Sequence, residues 1–176
     1  GALILSFKME RDRVFSGKVK QKGIFSFKEL YEFLYDYLMD ENYDVFEDKY
    51  VEKIEGESKN AEIKWTAIKE ISDYFRFEIT LYWFVGGMKK IKVKKEDREV
   101  TMDSGTIEVK FEAVLVKDYE NRWESNAFLK FSRGIYDRYI IRTRIDDSEL
   151  KLFQEVNELT AQTKSFLSLE GQHSIP

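Results

Sequence analysis

Apolar residues recur along this chain with two different periods, and the changes of period divide it into elements. Leu3, Leu5, Phe7 and Met9 alternate with polar positions, and Val14 to Gln21 extends the pattern. One or two strands therefore open the chain, with Gly17 marking a bulge or turn. Ser26-Phe27-Lys28-Glu29 then forms a capping box, in which the Ser hydroxyl accepts from an early backbone N–H and Glu29 reaches back. Behind it Leu30, Phe33, Leu34, Tyr37 and Leu38 recur at helical spacing. This predicts one amphipathic helix over 27–40, ended near Asn42.

From Tyr43 to Tyr119 the period is two. Val45 to Ile54 reads as a charged strand and Glu55 to Asn60 as a turn. Ala61, Ile63, Trp65 and Ala67 alternate with Glu62, Lys64 and Thr66, and Ser72-Asp73 turns again. Phe75, Phe77, Ile79, Leu81, Trp83 and Val85 then form the most apolar strand face of the chain. Gly86-Gly87 predicts a two-residue hairpin turn, because such turns need positive φ. Lys89 to Lys95 reads as the returning strand, with a short strand near Val100 to Met102. A turn at Ser104-Gly105 then precedes the alternation Ile107, Val109, Phe111, Ala113, Leu115. Successive hairpins of this kind give an antiparallel sheet with one buried face.

The helical period returns after Trp123, where Leu129, Ile135, Tyr136, Tyr139 and Ile140 lie on overlapping faces. Asp146 and Glu149 read as a second capping box. It is expected to open a last helix carrying Leu152, Val156, Leu159, Thr163, Phe166 and Leu167, before a frayed tail at 170–176.

The expected fold is α+β: a curved antiparallel sheet of six or seven strands packed against a long C-terminal helical region, within one domain over 1–169. This order of strand, helix, strands and long helix, over roughly residues 10–145, resembles the helix-grip arrangement of START-like and Bet v 1-like lipid-binding domains. The resemblance implies an apolar ligand held between sheet and C-terminal helix. The glycine-rich loop of the Bet v 1 type has no counterpart, since Glu55 to Asn60 holds only Gly56, and no second early helix is evident.

Composition narrows the chemistry. The chain has 176 residues, 43% hydrophobic and 35% charged, with 14 Phe, 10 Tyr and 3 Trp for a core. Cysteine is absent, which removes disulfides, thiolate metal sites and cysteine nucleophiles; the one histidine, His173, stands near the end. No cofactor or metal is expected, and no catalytic residue is singled out by spacing. Arg76 and Glu78 share a strand face with Thr80 and Tyr82, which is either a surface ladder or, if enclosed, a polar site. The net charge of −4 disfavours nucleic acid as a partner. No apolar run is long enough to span a bilayer. A cytoplasmic location is expected unless the chain is cut from a longer anchored protein; its start at Gly1 instead of Met reads as a cleavage scar or an internal start.

Charge is uneven. Lys89, Lys90, Lys92, Lys94, Lys95 and Arg98 stand against Glu96 and Asp97, while 40–57 holds eight acids against Lys49 and Lys53. The basic segment reads as a solvated sheet edge that discourages aggregation, or as an anion-binding strand. Arg133, Arg138, Arg142 and Arg144 with Tyr136 and Tyr139 read as a solvated basic-aromatic helix. The apolar stretch Tyr82 to Met88 is either an exposed hairpin tip or covered by another element.

Two functions follow. The first is non-enzymatic binding of an apolar small molecule or lipid, with Trp65, Phe77, Leu81, Trp83, Phe111 and Tyr136 lining the cavity; the same residues also suit a close-packed core. The second is an interaction or self-association module, a homodimer among its forms, using the basic strand, the hairpin tip or the last helix.

Overall fold

The computed structural model describes residues 10–117 and 141–171. In chain order its elements are β1 (Glu10–Phe25), α1 (Phe27–Asp40), β2 (Asp44–Glu55), β3 (Ser58–Glu70), β4 (Phe75–Lys95), β5 (Arg98–Lys117) and α2 (Ile141–Glu170). The fold is α+β, with one antiparallel sheet in the order β1-β5-β4-β3-β2.

Five strands, not six or seven, make this sheet, and the reason lies at two glycine signals. Gly86-Gly87 is not a hairpin turn; β4 runs through it. Gly86 pairs with Thr106 and the next pair is Lys89 with Ser104, so Gly87 and Met88 together face Gly105. This is a β-bulge, which bends a strand without ending it. Gly105 permits the close approach, because a Cβ there would lie 2.8 Å from the Gly86 carbonyl oxygen. Across the bulge, the Gly87 N–H donates to the Asn60 side-chain oxygen at 2.8 Å. The chain reverses instead at Glu96 and Asp97, whose φ angles are 49° and 63°. Consecutive left-handed residues match the twist of a hairpin, but neither residue is the glycine that usually signals it. Tyr82 to Met88 is accordingly mid-strand and not a tip.

The serine half of the capping box forms as expected: the Glu29 N–H donates to Ser26 Oγ at 3.3 Å, and Leu30, Leu34 and Leu38 are buried, while the Glu29 carboxyl meets Glu170 of the last helix. Helix α1 ends before Asn42, which adopts φ 67°. Gly17 is not a bulge. The extra residue in β1 is Val14, and Gly17 pairs with Phe111, leaving room for the Phe15 ring that folds over it.

The described part of helix α2 already runs from Ile141, so Asp146 to Glu149 lie inside it and do not cap it. It buries Leu152, Val156, Leu159, Thr163 and Leu167. Thr163 is tolerated there because its hydroxyl donates to the Leu159 carbonyl at 2.8 Å. Phe153 meets Phe15 of β1, and Phe166 stacks on Phe33 of α1 with centroids 5.0 Å apart. Both helices thus cover the same, inner face of the sheet. None of the described helices is long and apolar enough to cross a membrane. The predicted N-terminal strand over 3–9, the helix around Tyr136 and residues 172–176 lie outside the described residues.

Candidate functional site

Alternation along the strands sorts side chains to two faces, and each face has its own chemistry. On the inner face Trp65, Phe77, Leu81, Trp83 and Phe111 are each no more than 1% exposed and belong to one hydrophobic cluster. The two indoles meet at 5.1 Å, and Tyr31 and Phe27 of α1 close over them. Trp65 Nε1 donates to Glu47 at 3.2 Å, a carboxylate that also accepts from Tyr31 at 2.5 Å. Burial and this carboxylate push the Tyr31 hydroxyl up to about 12. Trp83 Nε1 has no partner among the described residues. A cavity of about 20 Å³ lies between sheet and helices, beside Tyr43, Ile79, Glu155 and Leu159. A ligand in the position expected from sequence would have to displace these side chains. Tyr136, the sixth residue expected there, lies outside the described residues.

A polar cluster ties α2 to the sheet beside this cavity. Lys69 of β3 pairs with Glu155 of α2 at 2.7 Å, and the Tyr43 hydroxyl donates to the other carboxylate oxygen at 2.7 Å. Lys69 also sits 4.6 Å from the Tyr43 ring centroid and donates to the Glu41 carbonyl. Burial, then the Glu155 charge, raise the Tyr43 hydroxyl far above its ordinary value. A phenol so held donates a hydrogen bond, and the cluster fastens α2 to the sheet.

The outer face is polar, and register arranges it in rows. At one end Glu78 pairs with Arg11 at 3.0 Å and with Arg76 at 3.6 Å, making the Arg76–Glu78 group part of an ion-pair ladder. One row further on, Glu112 binds Arg13 and Lys110, each at 3.2 Å. The next row crosses all five strands in direct register: Lys18, Lys110, Tyr82, Lys64 and Lys49. The Tyr82 ring stands between the ammonium groups of Lys64 and Lys110, at 5.8 and 6.0 Å from its centroid. Beyond it runs Lys20, Glu108, Phe84, Glu62 and Val51. Lys22 pairs with Thr106, and Lys53 with Asn60, at the far end.

This half of the outer face therefore holds seven lysines against Glu62, Glu108 and Glu55, the last paired with Lys53 at 3.4 Å, on a chain whose overall charge is −4. Lys49 pairs with Glu62 at 2.8 Å, while Lys18, Lys20, Lys22 and Lys64 have no carboxylate within ion-pair distance among the described residues. A groove of about 480 Å³ lies here, lined by Lys20, Lys53, Glu62, Phe84 and Glu108 among others. Phe84 is 43% exposed on its floor.

The basic segment 89–98 is the end of the β4–β5 hairpin, and from Lys89 the β3 side of β4 is an exposed sheet edge, as expected. Pairing between β3 and β4 stops at Met88 and that between β1 and β5 at Asp103, so from Ile91 β4 and β5 continue alone to the Lys95–Arg98 pair. Two of its five lysines have local counter-charges: Lys90 reaches Asp103 at 2.7 Å and Lys92 lies 3.9 Å from Glu99. The outermost strands are β1 and β2; nearly all of β2 is exposed. Among the described residues no group of acidic side chains is arranged to hold a metal ion.

Comparison with protein-family models, with curated proteins and with solved structures finds no match to this chain.

The lysine row is the feature that reading by segments misses. Lys18-Val19-Lys20-Gln21-Lys22 already shows lysines at every second position, hence on one face of a strand. Alignment with Lys110, Lys64 and Lys49 needs the register, which the bulge at Asp48 shifts by one residue in β2.

Proposed function

We propose that this chain is a non-enzymatic interaction module that holds an anionic partner on the exposed half of its outer sheet face. The observation that carries the reading is the Lys18–Lys110–Tyr82–Lys64–Lys49 row. Like charges directly opposite on neighbouring strands destabilise a sheet; Glu112 and Glu62 offset this for Lys110 and Lys49, but Lys18 and Lys64 have no carboxylate of their own among the described residues. An outside counter-charge removes that repulsion. The test is titration of a polyanion such as heparin against the protein at low salt, followed by amide chemical shifts. Shifts confined to residues around Lys18, Lys64 and Lys110, and lost in the Lys64→Glu/Lys110→Glu variant, support the reading; shifts on the 89–98 hairpin end instead, or none, overturn it.

The apolar-ligand reading stands second, supported by the aromatic density of Trp65, Trp83, Tyr31 and Phe27 on the inner face. In that reading the element order is a five-stranded form of the helix-grip plan, supported by the first strand lying beside the last and by a long C-terminal helix on the inner face. A lipid would enter only where α2 lifts from the sheet, and native mass spectrometry of the purified protein reports any co-purified ligand together with the oligomer mass.

A further inference from the structure

The anionic partner can be named more closely, on the strength of the reading just given. We infer that the outer face binds single-stranded nucleic acid, with phosphates along the lysine row and a base on Phe84. Lys18 and Lys49 stand at the two ends of a row that crosses five strands, a span of about 19 Å at the usual strand spacing. An extended backbone lying across the strands meets Lys18, Lys110 and Lys64 in turn. The parallel row through Phe84 lies two residues further along each strand, about 7 Å away. That offset puts a base, and not the next phosphate, over the Phe84 ring, which is 43% exposed and free to stack.

The neighbours of Phe84 support nucleic acid over a bilayer. Glu108 and Glu62 flank it in direct register on β5 and β3. Glu62 is already held by Lys49, but Glu108 has no ion-pair partner among the described residues, and a carboxylate there is open to a donor beside the phosphate. The exocyclic amino groups of cytosine and adenine are such donors, and a carboxylate accepting from the cytosine amino group is a recognised base contact. An anionic lipid surface presents Glu108 with net like charge, and the ammonium of a serine headgroup lies beside a carboxylate of its own.

The test is fluorescence anisotropy of labelled ten-nucleotide oligo-C, oligo-A and oligo-U with the whole chain, from about 20 to 200 mM salt. Heparin and phosphatidylserine vesicles serve as comparison ligands. The expected result is binding of oligo-C and oligo-A in preference to oligo-U, with affinity falling as salt rises by a log–log slope of about −2 to −3, as three or four phosphate contacts require. Lys64→Gln should flatten that slope by about one unit or less. Phe84→Ala should weaken oligo-C binding at least fivefold, the low end of what one stacked base contributes, with an unchanged thermal melt. Heparin binding with no Phe84 effect overturns nucleic acid but leaves the anionic-partner reading standing. Vesicle binding without oligonucleotide binding overturns it in favour of a membrane surface. Failure of every ligand at 20 mM salt removes both readings.

Discussion

The buried carboxylate of Asp103 accepts the backbone N–H of Phe27 at 2.8 Å, so a residue of β5 closes the first turn of α1 across 76 positions of sequence. The helix N-terminus carries a partial positive charge and unpaired N–H groups, and a carboxylate satisfies both. Lys90 holds the other carboxylate oxygen at 2.7 Å. Ser26 caps the helix locally; Asp103 fixes where it sits.

Asp103→Ala should therefore destabilise the protein by about 1–3 kcal/mol, the cost of leaving a buried donor unpaired. Asp103→Asn keeps an acceptor and should cost less. Urea unfolding of both variants checks the order; equal losses would mean that charge alone matters there.

Trp83 is fully buried, and its indole N–H lacks a partner among the described residues. Trp83→Ala should cost about 3–5 kcal/mol through the cavity it leaves. Trp83→Phe should cost much less, because it removes an unsatisfied donor along with part of the ring. Denaturant midpoints of the two variants give the comparison, and a loss below about 1 kcal/mol for Trp83→Ala would contradict a close-packed position.

The Lys69–Glu155 pair, with side chains 12% and 19% exposed, is fastened further by Tyr43. Glu155→Leu alone should be strongly destabilising, by about 2–4 kcal/mol after allowing for its partial exposure, since it strands a mostly buried ammonium. The double variant Glu155→Leu/Lys69→Met should recover much of that loss. A double-mutant cycle by chemical denaturation measures the recovery; additive losses would show that the two side chains act separately.

Glu170, buried at the end of α2, has its carboxyl pushed up to about 7, first by burial and then by its hydrogen bond and proximity to Glu29, with Lys95 partly opposing. A carboxyl raised in the folded state binds a proton there that the unfolded chain has already released. Its contribution is therefore full below about pH 4.5 and is lost as pH rises through about 7. Thermal melts from pH 5 to 8 should fall more steeply for the native chain than for Glu170→Gln, and parallel curves would refute this.

The turn Glu96–Asp97 places two non-glycine residues at positive φ. Asp97→Gly relieves one of them and should raise stability by about 0.5–1 kcal/mol, visible as a higher melting temperature.

What the sequence made legible was local. Ser26 and Glu29 lie three residues apart, so the cap and the helix behind it could be read directly, and Asn42 marked its end. Strict alternation placed Trp65, Phe77, Leu81, Trp83 and Phe111 on one face, because period two leaves no other option. Strand count was not legible: a glycine pair serves a bulge as readily as a turn, and what separates them is the pairing of Gly105 with the far side of β4. The start of α2 was likewise misread, since Asp146 and Glu149 have capping spacing wherever they occur on a helix. The lysine row depends on partners up to 92 positions apart, Lys18 and Lys110, and on bulges that shift register, so no window of sequence contains it.

Strand β1 touches the sheet only through β5, from Glu10 opposite Lys117 to Phe25 opposite Asp103. The four strands β2 to β5 follow one another as neighbours and zip through short closures, whereas β1 must close a loop of 78 residues or more. During synthesis at about 5–20 residues per second, β1 waits roughly 4–20 s for the partner that completes its pairing. Through that interval Phe15, Val19 and Phe25 belong to an unpaired strand with one apolar face, which makes β1 a segment for a chaperone to hold.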